Sequence, residues 1–422
     1  MKKIAIIGSG ISGLTCAYLL NKQFDVTVFE KNDYVGGHTA TVDITYQDKA
    51  YAIDTGFIVF NDRTYPHFNQ LLSQLGIRGK PTQMSFSVHH EQTGFEYNGH
   101  SLNSLFAQRR NLFRPKFWSL LREILRFNTL CKELYGQTQV EHAQTDQAQT
   151  LGDFLDQHDF TDFFCQHYIL PMGAAIWSTS LVEMRQFELT FFVQFFYNHG
   201  LLNISDRPQW FVVPGGSRVY VEAICAQLNK PVRTQVNIDS VSRTEDGAVL
   251  HFASGESQAF DEVIFACHSD QALALLSDTT QAEQAILSGI PYSANEVVLH
   301  RDINLLPKRP LAWASWNYSL DGDAKRPSCV TYNMNILQGL KSDTTFCVTL
   351  NQSDKIAPDK VLRRFVYHHP VLNSASVAAQ KQRAKICGHH HTHFVGAYWY
   401  NGFHEDGVRS ALDVTSRFGL TL

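Results

Sequence analysis

The hydrophobic pattern opens on an uninterrupted apolar run, Ile4-Ala5-Ile6-Ile7, which stops at Gly8. A short apolar run without alternation suits a strand buried on both faces, as in a parallel sheet. The predicted strand spans residues 3–7. From residue 11 the period becomes helical: Leu14, Ala17, Tyr18 and Leu20 supply one inner face, which predicts a helix over 11–23. Val26-Thr27-Val28-Phe29-Glu30 then reads as a second strand. Strand, helix and strand within about 30 residues make a βαβ unit.

Further along, residues 101–200 carry helical patterns, over 117–135 and 181–197. The polar stretch 137–150 between them reads as a surface loop. This block reads as an insertion that covers the domain begun by the βαβ unit. A helix is expected over 218–228. Strand patterns return at 232–241, 248–252 and 262–266, then at 296–300, 311–318, 329–334 and 345–350. A last strand over 392–398 leads to a closing helix over 408–418. No internal repeat interrupts the order.

Composition narrows the class. Of 422 residues only 18% are charged, while 12% are aromatic, with 29 Phe. That leaves much large apolar surface to bury or to offer a ligand. The formal net charge is −4 without a standout basic run, so nucleic acid is not an expected partner. The eight Cys form no CxxC pair, and neither zinc nor a disulfide framework is expected. Reduced thiols suit a cytoplasmic protein. The opening apolar run is too short for a secretory core or a membrane span, which leaves attachment to a membrane face open.

Gly8-Ser9-Gly10-Ile11-Ser12-Gly13 places GxGxxG between the first strand and helix. Gly8 permits the tight turn, Gly10 lets a pyrophosphate approach the backbone, and Gly13 lets helix and strand pack closely. The free N–H groups of Ile11, Ser12 and Gly13 face the phosphates. Glu30 ends the second strand where a carboxylate meets a ribose diol.

This turn does not separate FAD from NAD. The following Lys31-Asn32-Asp33-Tyr34-Val35-Gly36-Gly37-His38 resembles the second signature of the flavin amine oxidase and phytoene desaturase superfamily, with His38 in place of the usual Arg. Asp54-Thr55-Gly56-Phe57-Ile58 resembles the superfamily's loop beside the isoalloxazine ring. Val213-Pro214-Gly215-Gly216-Ser217 resembles its second Gly-rich turn, and the segment around Val236 its adenine-contacting strand. The segment from Gly396 to Val408 resembles the closing flavin motif, which implies roles for His404, Asp406, Gly407 and Val408 at the ring. The resemblance implies a Rossmann-type FAD-binding domain of the glutathione-reductase-like, amine oxidase type, with an inserted α+β substrate domain. The expected FAD domain comprises 1–85, 206–290 and 386–422; the substrate or cap domain comprises 86–205 and 291–385. FAD is expected without a covalent tether, although His38 and Cys387 are conceivable attachment points.

GGHTATVD, DTGFIVFN, IPYSANEVVLHRD, LAWASWNY and YWYNGFHEDG also resemble a bacterial group of FAD-dependent amine-oxidase-like proteins. Members of that group tend to be encoded beside cyclopropane-fatty-acid-synthase-like methyltransferases. The resemblance implies oxidation of a long apolar, fatty-acyl or other lipid substrate, and such a methyltransferase as a partner. Its rivals are oxidation of a small amine, redox-neutral isomerisation and a non-catalytic flavin-bound partner role. Tyr400, Phe403 and Trp177 are the leading substrate-cavity residues, with Trp313, Trp316, Tyr332 and Trp399 behind them. No catalytic base is assigned; Lys308 is a weak candidate for a lysine near flavin N5. The aromatic run 191–197 reads either as a buried helix or as an acyl tunnel or bilayer patch. His389, His391 and His393 would share one face if their segment were a strand, but a resident metal is not expected.

Overall fold

The computed structural model describes residues 1–141 and 149–422. The expected βαβ unit forms β1 (Lys3–Ile7), α1 (Ile11–Leu20) and β2 (Asp25–Phe29). β1 pairs with β2 on one side and with Glu262–Phe265 on the other, and Thr392–Phe394 extends the sheet; every pair is parallel. Ile4, Ala5 and Ile6 are wholly buried in a core with Val28, Val263, Ile264 and Phe394. Burial on both faces explains why their sequence shows no polar alternation. The carboxyl ends of these strands share one edge, where α/β sheets place their ligands.

A seven-stranded mixed sheet packs beside this unit. Its order is Val361–Pro370, Tyr292–His300, Cys347–Leu350, Val330–Asn333, Trp316–Leu320, Phe86–His90 and Phe95–Asn98. Its strands come from two distant chain segments, joined by the parallel pairing of Trp316–Leu320 with Phe86–His90. Helices Pro115–Glu141, Leu151–Gln157, Leu170–Trp177 and Leu189–Asn198 cover part of it. Phe117, Phe127, Phe164, Trp177, Phe192 and Phe196 form one core with Tyr318 and Val330 of the sheet. The mixed α/β architecture is thus the expected one.

Several boundaries differ from expectation. Pro115–Glu141 is one helix, so 137–141 is helical rather than loop; of the expected loop, 142–148 lies outside the described residues. The helix expected over 181–197 is two, Leu181–Arg185 and Leu189–Asn198. Glu188 starts the second by accepting from the N–H groups of Thr190 and Phe191. Only Ile238–Arg243 of the 232–241 region is regular strand, because Gln235 turns to φ 56°. The closing helix starts at His404, since Asp406 accepts the Phe403 N–H and caps it. The shared histidine face does not form. His390 and His391 have φ 49° and 59°, and the strand begins only at Thr392. Among the described residues no group of three or more His, Cys, Asp or Glu is placed to hold a metal ion. The aromatic run is mainly interior, with Phe192, Phe195 and Phe196 buried and Tyr197 exposed.

Candidate functional site

The turn after β1 shows a division of labour among its glycines. Gly8 has φ 109°, and a Cβ there would lie 2.6 Å from the Ala266 carbonyl oxygen. A Cβ on Gly13 would lie 2.1 Å from the Gly8 carbonyl oxygen. Gly10 differs: a Cβ there would meet nothing within 4 Å. The turn is therefore closed against protein at Gly8 and Gly13 and open at Gly10. Gly10 is also the N-cap of α1 and supplies no side-chain cap, which leaves first-turn N–H groups for an anion. Ile11 and Ser12 are buried beside it.

Glu30 is buried and binds both sides of the turn. Its Oε2 accepts from Ser9 N (3.0 Å) and Ser9 Oγ (2.6 Å), and its Oε1 from Asn32 N and Nδ2 (2.9 Å each). A carboxylate has about four acceptor positions, so a ribose hydroxyl would replace one of these donors, most simply the Asn32 amide. Val236 arrives alongside, its N–H donating to the Glu30 carbonyl at 2.9 Å. Lys31 points out to solvent.

Gly36 and Gly37 carry the chain across the turn at φ 124° and 58°. A Cβ on Gly37 would come 3.2 Å from Gly10 Cα, so the two backbones lie against each other. His38 then points into a nest of rings: Tyr367 at 5.2 Å, His369 at 5.6 Å and His268 at 6.0 Å. Burial, aided by repulsion from His369 and His268, pushes its imidazole down to about 3. His38 is neutral at physiological pH and supplies none of the positive charge an Arg would bring. Its Nε2 is buried without a protein partner, a polar atom available to a ligand.

The loop expected beside the ring is fastened to this segment. Phe57 N–H donates to the His38 carbonyl at 2.8 Å, and a Cβ on Gly56 would lie 2.1 Å from that same oxygen. Ile58 is buried behind the loop. Asp54 accepts from Thr41 Oγ1, Ser217 N and Ser217 Oγ and thereby seats the second Gly-rich turn. Burial raises its carboxyl to about 6 despite these donors.

The closing helix starts at the same place. Phe57 and His404 stack at 3.6 Å, 8° from parallel, and His404 Nε2 bonds the Tyr220 hydroxyl. A Cβ on Gly407 would lie 2.6 Å from Ile11 Cγ2, so the N-termini of α1 and His404–Thr415 meet. Val408 is fully buried at that contact. Burial lifts the capping Asp406 carboxyl to about 7 and holds His404 well below the ordinary imidazole value. Two helix N-termini, an open glycine and an unpartnered imidazole nitrogen around one strand edge fit a dinucleotide carrying an electron-accepting ring.

Two of the three aromatic candidates, Trp177 and Phe403, pack against one ring, Phe195. Phe195 lies 4.8 Å from Trp177 and 5.0 Å from Phe403, and His199 stacks on Phe195 at 3.8 Å. Tyr400 is directed elsewhere: its hydroxyl donates to Asp413 at 2.6 Å and Arg409 lies over its ring at 4.0 Å. Asp413 sits in the third turn of the closing helix, away from the end that meets α1. Lys308 is exposed, and its N–H donates to Glu96. Sequence reading missed His268, Tyr367 and His369. The signal was alternation along Val361–Pro370, where Phe365, Tyr367 and His369 face inward and Arg364, Val366 and His368 outward.

Known proteins resemble this chain in sequence and in fold. Residues 11–307 match the family model for flavin containing amine oxidoreductases. A 76-residue stretch is 45% identical to 1-hydroxycarotenoid 3,4-desaturase from a Flavobacterium species, covering 18% of this chain and 14% of that protein. L-amino-acid oxidase from Siganus canaliculatus is 19% identical over 311 residues, 67% of this chain and 50% of its own. The chain thus spans half or less of the length of these curated relatives. Among solved structures, a putrescine oxidase variant superposes with TM-score 0.70 at 15% identity, covering 99% of both chains. The CLA-producing fatty acid isomerase from P. acnes gives 0.68 at 15% identity, covering 99% of this chain and 98% of its own. At these identities the likeness is one of fold.

Proposed function

We propose, from the premise that this chain belongs to the flavin containing amine oxidoreductase family, that it oxidises a long apolar substrate, a fatty acyl or other lipid chain, with FAD as its cofactor. When bound, the flavin supplies an acceptor for a hydride removed from substrate carbon. The chain's own residues bind and orient. The open Gly10 and the α1 N-terminus would receive the pyrophosphate, Glu30 the ribose, and the N–H groups at the start of His404–Thr415 would favour negative charge on the ring.

The observation that carries the substrate class is the row of rings Trp177–Phe195–Phe403 with the neutral His199 stacked on it. His199 is pushed down to about 4 by burial and carries no charge at neutral pH. A protonated amine needs a carboxylate or a water-filled site, whereas a methylene chain needs only an apolar wall that excludes water. The similarity to a desaturase named for a carotenoid supports the same class. The alternative of a small amine substrate is tested alongside. Under anaerobic conditions, fatty acyl substrates are expected to bleach the flavin absorbance while putrescine and amino acids do not; bleaching by amines alone would overturn the reading.

The two sides of the closing loop separate in function. Phe403→Ala is expected to raise KM for an apolar substrate about tenfold, roughly the loss of a partly buried aromatic contact, with flavin content unchanged. Tyr400→Phe removes only the bond to Asp413 and is expected to leave KM and the flavin reduction rate near their original values. Steady-state kinetics on both variants check the pair, and the reverse pattern would place the substrate on the Tyr400 side.

A further inference from the structure

We propose that the surface formed by residues 102–126 docks the protein peripherally on an anionic phospholipid bilayer. Large apolar side chains stand unusually far out of the protein here. Phe113 is 86% exposed, Leu102 78%, Trp118 46% and Leu112 41%. They stand close along one short stretch of chain, where the Trp118 indole N–H donates to the Leu112 carbonyl at 2.9 Å and the Trp118 ring packs on the buried Phe106 at 5.6 Å. The Arg109–Phe113 turn projects Phe113 beyond the start of the helix Pro115–Glu141. Along that helix Leu125, 49% exposed, follows Trp118 on the same face. Scattered single apolar residues need no explanation, but a joined patch of this kind marks an interaction surface.

The charges around the patch select the partner. Arg109, Arg110, Lys116, Arg122 and Arg126 are exposed, and Arg114 is half-buried among them. The one carboxylate of the stretch, Glu123, is buried and accepts the N–H and hydroxyl of Thr161. A local excess of cations thus stands on a chain whose formal net charge is −4. Phe, Trp and Leu at the tips, ringed by guanidinium groups, match the layering of a bilayer surface: acyl boundary first, phosphates next. A neutral protein groove would match the apolar tips but leave the guanidinium groups without counter-charges. Among the described residues no helix is long and apolar enough to cross a membrane, so the contact is one of surface insertion. It is separate from the buried aromatic helix Leu189–Asn198, and it stands whether or not the oxidised substrate is a lipid.

The test is co-sedimentation of the FAD-loaded protein with vesicles of phosphatidylglycerol and phosphatidylcholine, against vesicles of phosphatidylcholine alone. Binding is expected to the anionic vesicles, falling as salt is raised. Phe113→Ser with Trp118→Ser, and separately Arg109→Glu with Lys116→Glu, are each expected to lower the bound fraction about tenfold, with melting temperature and flavin content unchanged. No sedimentation with anionic vesicles, or variants that sediment as fully as the parent protein, would overturn the proposal. So would a vesicle-indifferent protein that changes from dimer to monomer in the Phe113→Ser, Trp118→Ser variant, since a second copy would then be what covers the patch.

Discussion

Acidification from neutral pH to about pH 5 is expected to destabilise the folded protein markedly, through histidines buried in neutral form. Burial pushes His38 down to about 3, and His89, His167, His199, His300 and His369 to about 4; His404 is lower than the ordinary value by a wide margin. In the unfolded chain each would titrate near pH 6.5. Between the folded values and 6.5 the unfolded state binds more protons, so stability is complete above 6.5 and falls as pH drops below it. At roughly pH 5 each such site costs about 2 kcal/mol. Asp54 and Asp406, raised to about 6 and 7, act in the opposite direction, because the folded state there holds the extra proton. His393, raised by its bonds to Cys387 and Glu262, also favours the folded state at low pH. These few groups do not offset the rest, and the net loss takes a sizeable part of a domain's about 5–15 kcal/mol. Urea unfolding at successive pH values measures it. A free energy of unfolding that stays flat from neutral pH to about pH 5 would refute the account, as would imidazole NMR signals titrating near their free values.

The histidines also show why the site was only partly legible in the sequence. The βαβ unit was readable because its signals are local: an apolar run, a glycine turn, a helical period and Glu30 all lie within one stretch. The segments around His38, Phe57 and His404, which the fold brings together, stood out because each keeps a compact motif. The ring nest was not. It joins His38, which follows a glycine pair, to His268 at a strand end and to Tyr367 and His369 on an edge strand. No local period links these positions; the parallel sheet and the seven-stranded sheet bring them together. The edge strand itself escaped detection because Arg363 and Arg364 break its apolar pattern where it faces solvent. Tyr400 shows the converse, a residue near the motif in sequence whose side chain the fold turns away. Its loop lies beside the cofactor segment in sequence, yet the bond to Asp413 turns the side chain along the outside of the helix.

The same substitution at two glycines three positions apart is expected to separate stability from cofactor binding. Gly13→Ala puts a methyl group 2.1 Å from the Gly8 carbonyl oxygen and 3.0 Å from Ala266 Cβ. Neither neighbour can rotate away, since one is backbone and the other a Cβ, so α1 must shift off β1. Overpacking of this kind costs about 3 kcal/mol, and the fully buried interior around Leu14 and Ala17 has no slack to absorb the shift. The variant is expected to melt well below the parent and to lose flavin because the turn itself is displaced. Gly10→Ala is different on both counts. Its backbone, φ −68° and ψ 179°, is one that alanine adopts without strain, and the new methyl group meets no protein atom within 4 Å. The FAD-free protein is therefore expected to melt within experimental error of the parent. The methyl group enters the space a pyrophosphate needs against the turn, and FAD affinity is expected to fall about tenfold or more, equivalent to ~1.4 kcal/mol. Calorimetry of the FAD-free proteins and flavin titration decide the matter. A Gly10→Ala protein that binds FAD as tightly as the parent would show that the phosphates do not approach the turn there. A Gly13→Ala protein of unchanged melting temperature would show that the close contact between α1 and β1 is not what holds the turn.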